Sequence, residues 1–206
     1  SFGINVMKSI VVEVEASDGS IGVSTGQGGA PACYMIEQHF RRFIVGLDPR
    51  DINKAWDQMY RSSMYYGGKG LPMWAISVVD LALWDLLGVL RQEPVYKMIG
   101  GAVREEIELY CTGIRPDVAK EAGFIGGKMP LPYAPVDRHE GLKANVEYFQ
   151  EMRNKVGPDF WLMADCWMSL DVPYAVELAN ALREVNLYWM EEALHPGDIE
   201  GHKLLK

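Results

Sequence analysis

The sequence contains few residues that form covalent or zinc cross-links. Only three of its 206 residues are cysteines, Cys33, Cys111 and Cys166, and no two of them have the C-x-x-C spacing. The four histidines are scattered, without an H-x-x-x-H pair. A secreted disulfide framework and a structural zinc site are therefore both disfavoured. Reduced thiols in a cytoplasmic protein fit this composition best.

Positive charge is also scarce. Lys and Arg total 20 against 28 Asp and Glu, which gives a net charge of −8. An acidic surface repels nucleic-acid phosphates and anionic lipid headgroups, so we expect neither nucleic acid nor membrane as a partner. No apolar run approaches the ~18 residues of a membrane span, and residues 1–4 do not resemble the start of a signal peptide. The hydrophobic content of 49% is that of an ordinary globular protein.

The periodicity of apolar residues changes near residue 101. Before it, the alternation over 6–15 and the segment 21–25 predict a hairpin, and a broad apolar stripe over 76–90 predicts a long helix. After it, strands alternate with helices, and the predicted strands cover residues 107–111, 123–128, 160–164 and 187–190. This alternation is typical of parallel βα units.

Two of these later strands run directly into acidic residues. Asp165 ends one, and Glu191 and Glu192 end the next, 26 residues or one βα repeat further on. Adjacent parallel strands lie about 4.8 Å apart, so the acids should meet at the rim where α/β barrels place catalytic groups. Close carboxylates repel unless a cation intervenes, and Mg²⁺ prefers such oxygen ligands. The residues support two interpretations about equally. Either the acids bind a metal, or they are solvated at the strand ends or cap the following helices.

Two further points stay open from the residues alone. Alternation puts Glu191 and Glu192 on opposite sides of the strand, and nothing in the spacing selects one. Lys128 ends the second barrel strand, where it could hold a substrate carboxylate or move a proton. An exposed lysine before a proline-rich loop is the slightly favoured interpretation of Lys128.

Several segments resemble one enzyme family. Residues 75–88, followed by Pro94 and Gly100–Gly101, resemble the cap-domain signature of the mandelate racemase and muconate lactonizing enzyme group of the enolase superfamily. Asp165 and residues 189–192 resemble its first two metal-ligand strands, and that pattern selects Glu191 as the ligand. The segments 123–130 and 165–169 resemble the L-rhamnonate dehydratase branch of the group.

The resemblance covers essentially the whole chain and implies an α/β fold class. It implies an α+β capping domain over residues 1–103, partial at its start. It also implies the first four βα units of a TIM-type (β/α) barrel, about half the barrel, over residues 104–206. A complete barrel takes about 250 residues. The third metal acid and the His–Asp base pair are therefore expected beyond Lys206, and the chain is expected to be a portion of a longer protein.

The resemblance further implies a Mg²⁺-dependent hydro-lyase that acts on a small-molecule sugar acid. L-Rhamnonate would become 2-keto-3-deoxy-L-rhamnonate and water, by proton abstraction next to the carboxylate, a metal-stabilised enediolate and loss of the 3-hydroxyl. Asp165 and Glu191 would bind the metal, and Lys128 would contact substrate or transfer a proton. The family also implies a cytoplasmic homo-oligomer, often an octamer.

Three alternatives remain. The protein could be another acid-sugar dehydratase or a racemase of the same superfamily, although a single lysine stands where racemases carry a K-x-K pair. It could be a non-catalytic truncated fragment. Finally, Asp165 and Glu191 could act without metal, as paired carboxylates do in glycoside chemistry.

Overall fold

The computed structural model describes residues 8–206 and divides the chain into two units, one ending at Glu105 and one beginning at Glu106. Residues 1–7, which include the start of the predicted first strand and the segment considered as a leader, lie outside the described residues. The two units are described separately below.

The first unit begins with a hairpin and continues with helices. Strands β1 (Ile10–Glu15) and β2 (Ile21–Gly26) pair in antiparallel register. The Ser20 amide donates to the Asp18 carboxylate in the turn between them. The helices are α1 (Gly29–Met35), α2 (Arg41–Ile44), α3 (Ile52–Ser63), α4 (Leu71–Arg91) and α5 (Val95–Met98), with a π-helical stretch at Ile36–Phe40 and a 3-10 turn at Met64–Tyr66.

Helix α4 is the centre of this unit, as its apolar stripe predicts. Ile76, Val79 and Leu83 are buried in a core that also contains residues of β1, α1 and α3. Asp85 accepts a hydrogen bond from the Val23 amide and so fastens the hairpin to the helix. Within residues 8–206, α4 is the one helix long and apolar enough to cross a membrane by length and composition. The burial of its apolar side chains shows that α4 serves as a core helix here.

The second unit alternates strands and helices, and this confirms the predicted class. Its four strands form a parallel sheet in the order β3-β4-β5-β6. The elements are β3 (Tyr110–Thr112), α6 (Pro116–Glu121), β4 (Gly126–Pro130), α7 (Arg138–Val156), β5 (Trp161–Asp165), α8 (Val172–Ala181), β6 (Met190–Glu191) and α9 (Ile199–Leu205), with 3-10 turns at Pro135–Asp137 and Arg183–Val185.

The two faces of this sheet have different roles. Met129, Leu162 and Ala164 pack with helix residues into the core of the unit. Because side chains alternate along a strand, Lys128 and Asp165 lie on the opposite face. Glu191 pairs in register with Asp165 and therefore joins them there.

Candidate active site

The two acids predicted to meet are direct neighbours in the sheet. Asp165 and Glu191 are register partners on β5 and β6, and the Cys166 amide donates to the Glu191 carbonyl at 2.9 Å. Asp165 is buried, with 7% of its surface exposed, and Glu191 is partly buried. Both carboxylates therefore lie at the carboxyl end of the parallel strands.

Lys128 reaches both carboxylates. Its Nζ lies 2.6 Å from Oε1 of Glu191 and 3.1 Å from Oδ2 of Asp165, and only 10% of the side chain is exposed. The interpretation of Lys128 as an exposed lysine is therefore wrong, because β4 turns this side chain onto the face that carries the acids. Burial by itself lowers the pKa of Lys128, but the hydrogen bonds and charges of Glu191 and Asp165 outweigh it and raise the pKa. Lys128 is therefore a cation at neutral pH.

The structure distinguishes the two adjacent glutamates. The second oxygen of Glu191, Oε2, accepts a hydrogen bond from Nε1 of Trp189 at 3.1 Å. Both oxygens of Glu191 are thus fixed, one by Lys128 and one by Trp189. Glu192 is exposed, with a left-handed backbone at φ 48°. Sequence reasoning missed the role of Trp189, although its position two residues before Glu191 places it on the same face.

The loop after β5 is held in an uncommon backbone conformation. Trp167 and Met168 both have positive φ, 54° and 56°. The Trp167 amide donates to Asp165 Oδ1 at 3.2 Å, and the Met168 amide donates to the Glu192 carbonyl at 2.6 Å. Left-handed non-glycine residues are costly and persist where their surroundings fix them. The first contact therefore ties the loop to Asp165, and the second ties it to the residue that follows Glu191.

The side chains of Cys166 and His195, which follow the two acids in the sequence, make no hydrogen bond or ion pair with Lys128, Asp165 or Glu191 within residues 8–206. Cys166 is fully buried, and burial followed by the charges of Asp165 and Glu191 raises the pKa of its thiol to about 12. His195 is exposed, and its Nδ1 accepts the Gly197 amide of its own loop. Cys166 is thus a packing residue and His195 a surface residue.

The donor set of the rim suits a hard cation. Within residues 8–206, no group of three or more His, Cys, Asp or Glu side chains converges on one point. Asp165 and Glu191 offer carboxylate oxygens, the ligands that Mg²⁺ takes in small number while it keeps several waters. The protonated Lys128 beside them suits an anionic ligand. The residues present therefore fit a partial site for a hard divalent cation such as Mg²⁺.

An α+β unit followed by parallel βα units with acids at the carboxyl rim defines the class of capped α/β-barrel proteins. The profile described as "Mandelate racemase / muconate lactonizing enzyme, N-terminal domain" matches residues 4–100, and the profile "Enolase C-terminal domain-like" matches residues 114–206. The chain belongs to the mandelate racemase/muconate lactonizing enzyme family of the enolase superfamily.

Individual relatives are similar over the whole chain. The L-rhamnonate dehydratase of Saccharopolyspora erythraea is 55% identical over 206 residues, which are 100% of this chain and 53% of that protein. The crystal structure of L-rhamnonate dehydratase from Gibberella zeae is 56% identical, with a TM-score of 0.95, and the match covers 100% of this chain and 52% of that one. A Gibberella zeae rhamnonate dehydratase complexed with Mg gives the same score and identity, over 50% of its length. This chain thus spans about half the length of these relatives.

Proposed function

We propose that the complete protein containing this chain is a Mg²⁺-dependent L-rhamnonate dehydratase. The observation that carries the proposal is identity of 55% and 56% to two L-rhamnonate dehydratases across all of the chain. The reaction would yield 2-keto-3-deoxy-L-rhamnonate and water. In this proposal, residues 1–103 form the capping domain and residues 104–206 the first four βα units of the barrel.

Asp165 and Glu191 are the proposed metal ligands on this chain. Their fit rests on two adjacent carboxylates at one rim, because carboxylate oxygens are the ligands that Mg²⁺ prefers. When bound there, Mg²⁺ supplies positive charge that stabilises negative charge developing next to the substrate carboxylate.

Lys128 is proposed to bind the substrate carboxylate. Its raised pKa keeps the ammonium protonated at neutral pH, which favours this role over that of a base. None of the histidines within residues 8–206 contacts Lys128, Asp165 or Glu191 through a hydrogen bond or ion pair. We therefore place the base that removes the proton in the part of the relatives' length that this chain does not span.

The proposal also covers the cellular compartment and the oligomeric state of the protein. An acidic chain with three free cysteines fits a cytoplasmic enzyme. Homo-oligomer formation is part of the proposal, and sedimentation of the complete protein would establish the number of subunits.

The test is water loss from L-rhamnonate by the complete protein. We expect 2-keto acid to form with Mg²⁺, to stop with a chelator and to resume when Mg²⁺ is restored. Glu191→Gln should lower Mg²⁺ affinity by at least about 100-fold, the upper end of what loss of an outer-sphere partner costs. The matched variant Glu192→Gln should leave that affinity within about threefold of wild type.

The alternatives have their own signatures in this experiment. Exchange of the α-proton with solvent deuterium, without 2-keto acid, would identify a racemase. Turnover of a different sugar acid from a panel would show that the proposed substrate is wrong and that the proposed reaction type is right. Full activity in chelator would overturn the metal assignment.

A further inference from the structure

The segment that follows β4 begins at the same rim as Asp165 and Glu191. β4 carries Lys128, and the chain continues from Pro130 into residues 131–137, here called the β4 loop. The Leu131 amide donates to the Asp165 carbonyl at 2.8 Å. The β4 loop is therefore tied at its start to the strand end that holds Asp165.

A buried asparagine on α7 fixes the middle of the β4 loop. Asn145 is completely buried. Its Oδ1 accepts the Tyr133 amide at 3.1 Å, and its Nδ2 donates to the Tyr133 carbonyl at 3.0 Å. The remaining Nδ2 hydrogen points to the hydroxyl of Tyr174 at 3.3 Å. The side chain thus pairs with both backbone groups of one loop residue, as a neighbouring strand would.

Burying an amide is costly unless every polar atom finds a partner. An apolar residue could fill the same space between α7 and α8 at lower cost. The side-chain amide of Asn145 bonds the backbone of Tyr133 and so fixes its position, which a hydrocarbon side chain could not do.

The β4 loop also packs closely against α7. A Cβ atom at Gly141 would lie 3.0 Å from Cβ of Tyr133, so the absence of a side chain there leaves room for this loop residue. The Asp137 carboxylate accepts the Ala134 amide at 2.9 Å. The loop backbone is therefore held at Leu131, Tyr133 and Ala134, while 42% of the surface of Tyr133 remains exposed.

We propose that Asn145 is a positioning residue that holds the β4 loop as one wall of the substrate site and presents Tyr133 to the sugar acid. This inference rests on the proposed function, because it places a sugar acid at the rim beside Lys128. A loop residue that contacts the substrate away from the reacting atoms binds the ground state and the transition state alike, so its displacement raises KM more than it lowers kcat.

The test compares Asn145→Ala with the matched control Tyr174→Phe in the complete protein, with L-rhamnonate as substrate. Both variants remove a buried hydrogen bond of Asn145, but Tyr174→Phe leaves the pair with Tyr133 intact. For Asn145→Ala we expect amide hydrogen exchange of Tyr133 to accelerate at least tenfold. Its KM should rise roughly tenfold while kcat changes much less. Tyr174→Phe removes only the 3.3 Å contact, so it should lose less stability than Asn145→Ala and show neither change.

A third variant keeps the inference testable if Asn145→Ala does not fold. Tyr133→Ala retains the backbone pair with Asn145 and should raise KM without faster exchange of the loop amides. An unchanged KM in Tyr133→Ala, or faster exchange with an unchanged KM in Asn145→Ala, would overturn the inference. Absence of wild-type turnover would instead contradict the proposed function, so the two failures can be distinguished.

Discussion

At the scale of single residues, the site depends on a charge balance within a small buried volume. Asp165 and Glu191 carry like charges on adjacent strands, and Lys128 contacts both. Removing one partner of a buried ion pair leaves an uncompensated charge, which costs far more than loss of an exposed pair. We therefore expect Lys128 to contribute to the stability of the rim.

Lys128→Met should destabilise the complete protein by about 3 kcal/mol when measured in chelator. The matched variant is Lys143→Met, because Lys143 is exposed and lies 3.9 Å from Glu147. Loss of that pair should cost less than about 0.5 kcal/mol. Urea unfolding gives the free energy of unfolding of both variants. Equal losses would show that Lys128 is not required to offset the negative charges of Asp165 and Glu191. Added Mg²⁺ should recover part of the loss in Lys128→Met, because a ligand that binds only the folded state stabilises it.

The buried thiol of Cys166 gives a pH-dependent prediction. Its pKa of about 12 means that the reactive thiolate forms only as pH rises towards 12. At pH 8 the folded protein should react with iodoacetamide at Cys33 and Cys111, which are partly exposed, and not at Cys166. Peptide mapping before and after denaturation measures this. Modification of Cys166 as fast as Cys111 in the folded state would contradict its burial.

The residues of the site could be predicted to different degrees. The acids were found because each ends an apolar strand, and neighbouring strand ends meet. The exposure of Lys128 could not be judged from its own neighbours in sequence, because what buries it lies on β5 and β6. Asn145 lies in a helix that is polar over most of its length, and its function depends on Tyr133, twelve residues away.

At the scale of elements, an arginine joins α7 to the starts of the last two strands. Arg153 is buried, and its guanidinium donates to four carbonyls at 2.7–3.0 Å, those of Gly157, Phe160, Val185 and Asn186. Burial lowers the pKa of Arg153, but an arginine stays charged in proteins. One side chain thus satisfies the carbonyls of two separate turns that precede β5 and β6.

Arg153→Met should therefore destabilise the second unit by about 3 kcal/mol, because the carbonyls of Phe160 and Val185 would stay buried without a partner, at about 1–3 kcal/mol each. Arg183→Met is the matched control, since Arg183 is exposed and its side chain makes a single hydrogen bond within residues 8–206, to Asn180. Its effect should stay within about 0.5 kcal/mol. Thermal unfolding measures the loss of stability in both variants. A small loss in Arg153→Met would mean that water takes over the hydrogen bonds of the guanidinium.

The elements themselves were predictable where packing and periodicity agree. Helix α4 and strands β4 and β5 lie close to their predicted positions. Strand β3 is Tyr110–Thr112 instead of 107–111, because pairing with β4 sets its limits and Ile107 and Leu109 are exposed. Strand β6 covers Met190–Glu191, later than its apolar run predicts. Hydrophobicity indicated that a strand exists, and its hydrogen-bonding partner determined where it begins.

At the scale of the whole molecule, the second unit has a parallel sheet with two open edges in the part of the chain that the structure describes. Within residues 8–206, β3 and β6 each pair with one neighbouring strand only. Parallel sheets are stable when both faces are covered, and open strand edges pair with other chains. The chain spans 53% and 52% of the length of the two rhamnonate dehydratases that it matches.

The 206-residue chain produced alone should therefore self-associate, whereas the complete protein should form one discrete species. We expect the isolated chain to elute broadly in size-exclusion chromatography and to bind a dye that reports exposed apolar surface, because β3 and β6 offer free edges. Adding the remaining part of the complete protein as a separate chain should reduce both signals by supplying the missing neighbours. A monodisperse 23.1 kDa monomer without dye binding would show that the four-stranded sheet is self-sufficient, and the barrel continuation would then have to be abandoned.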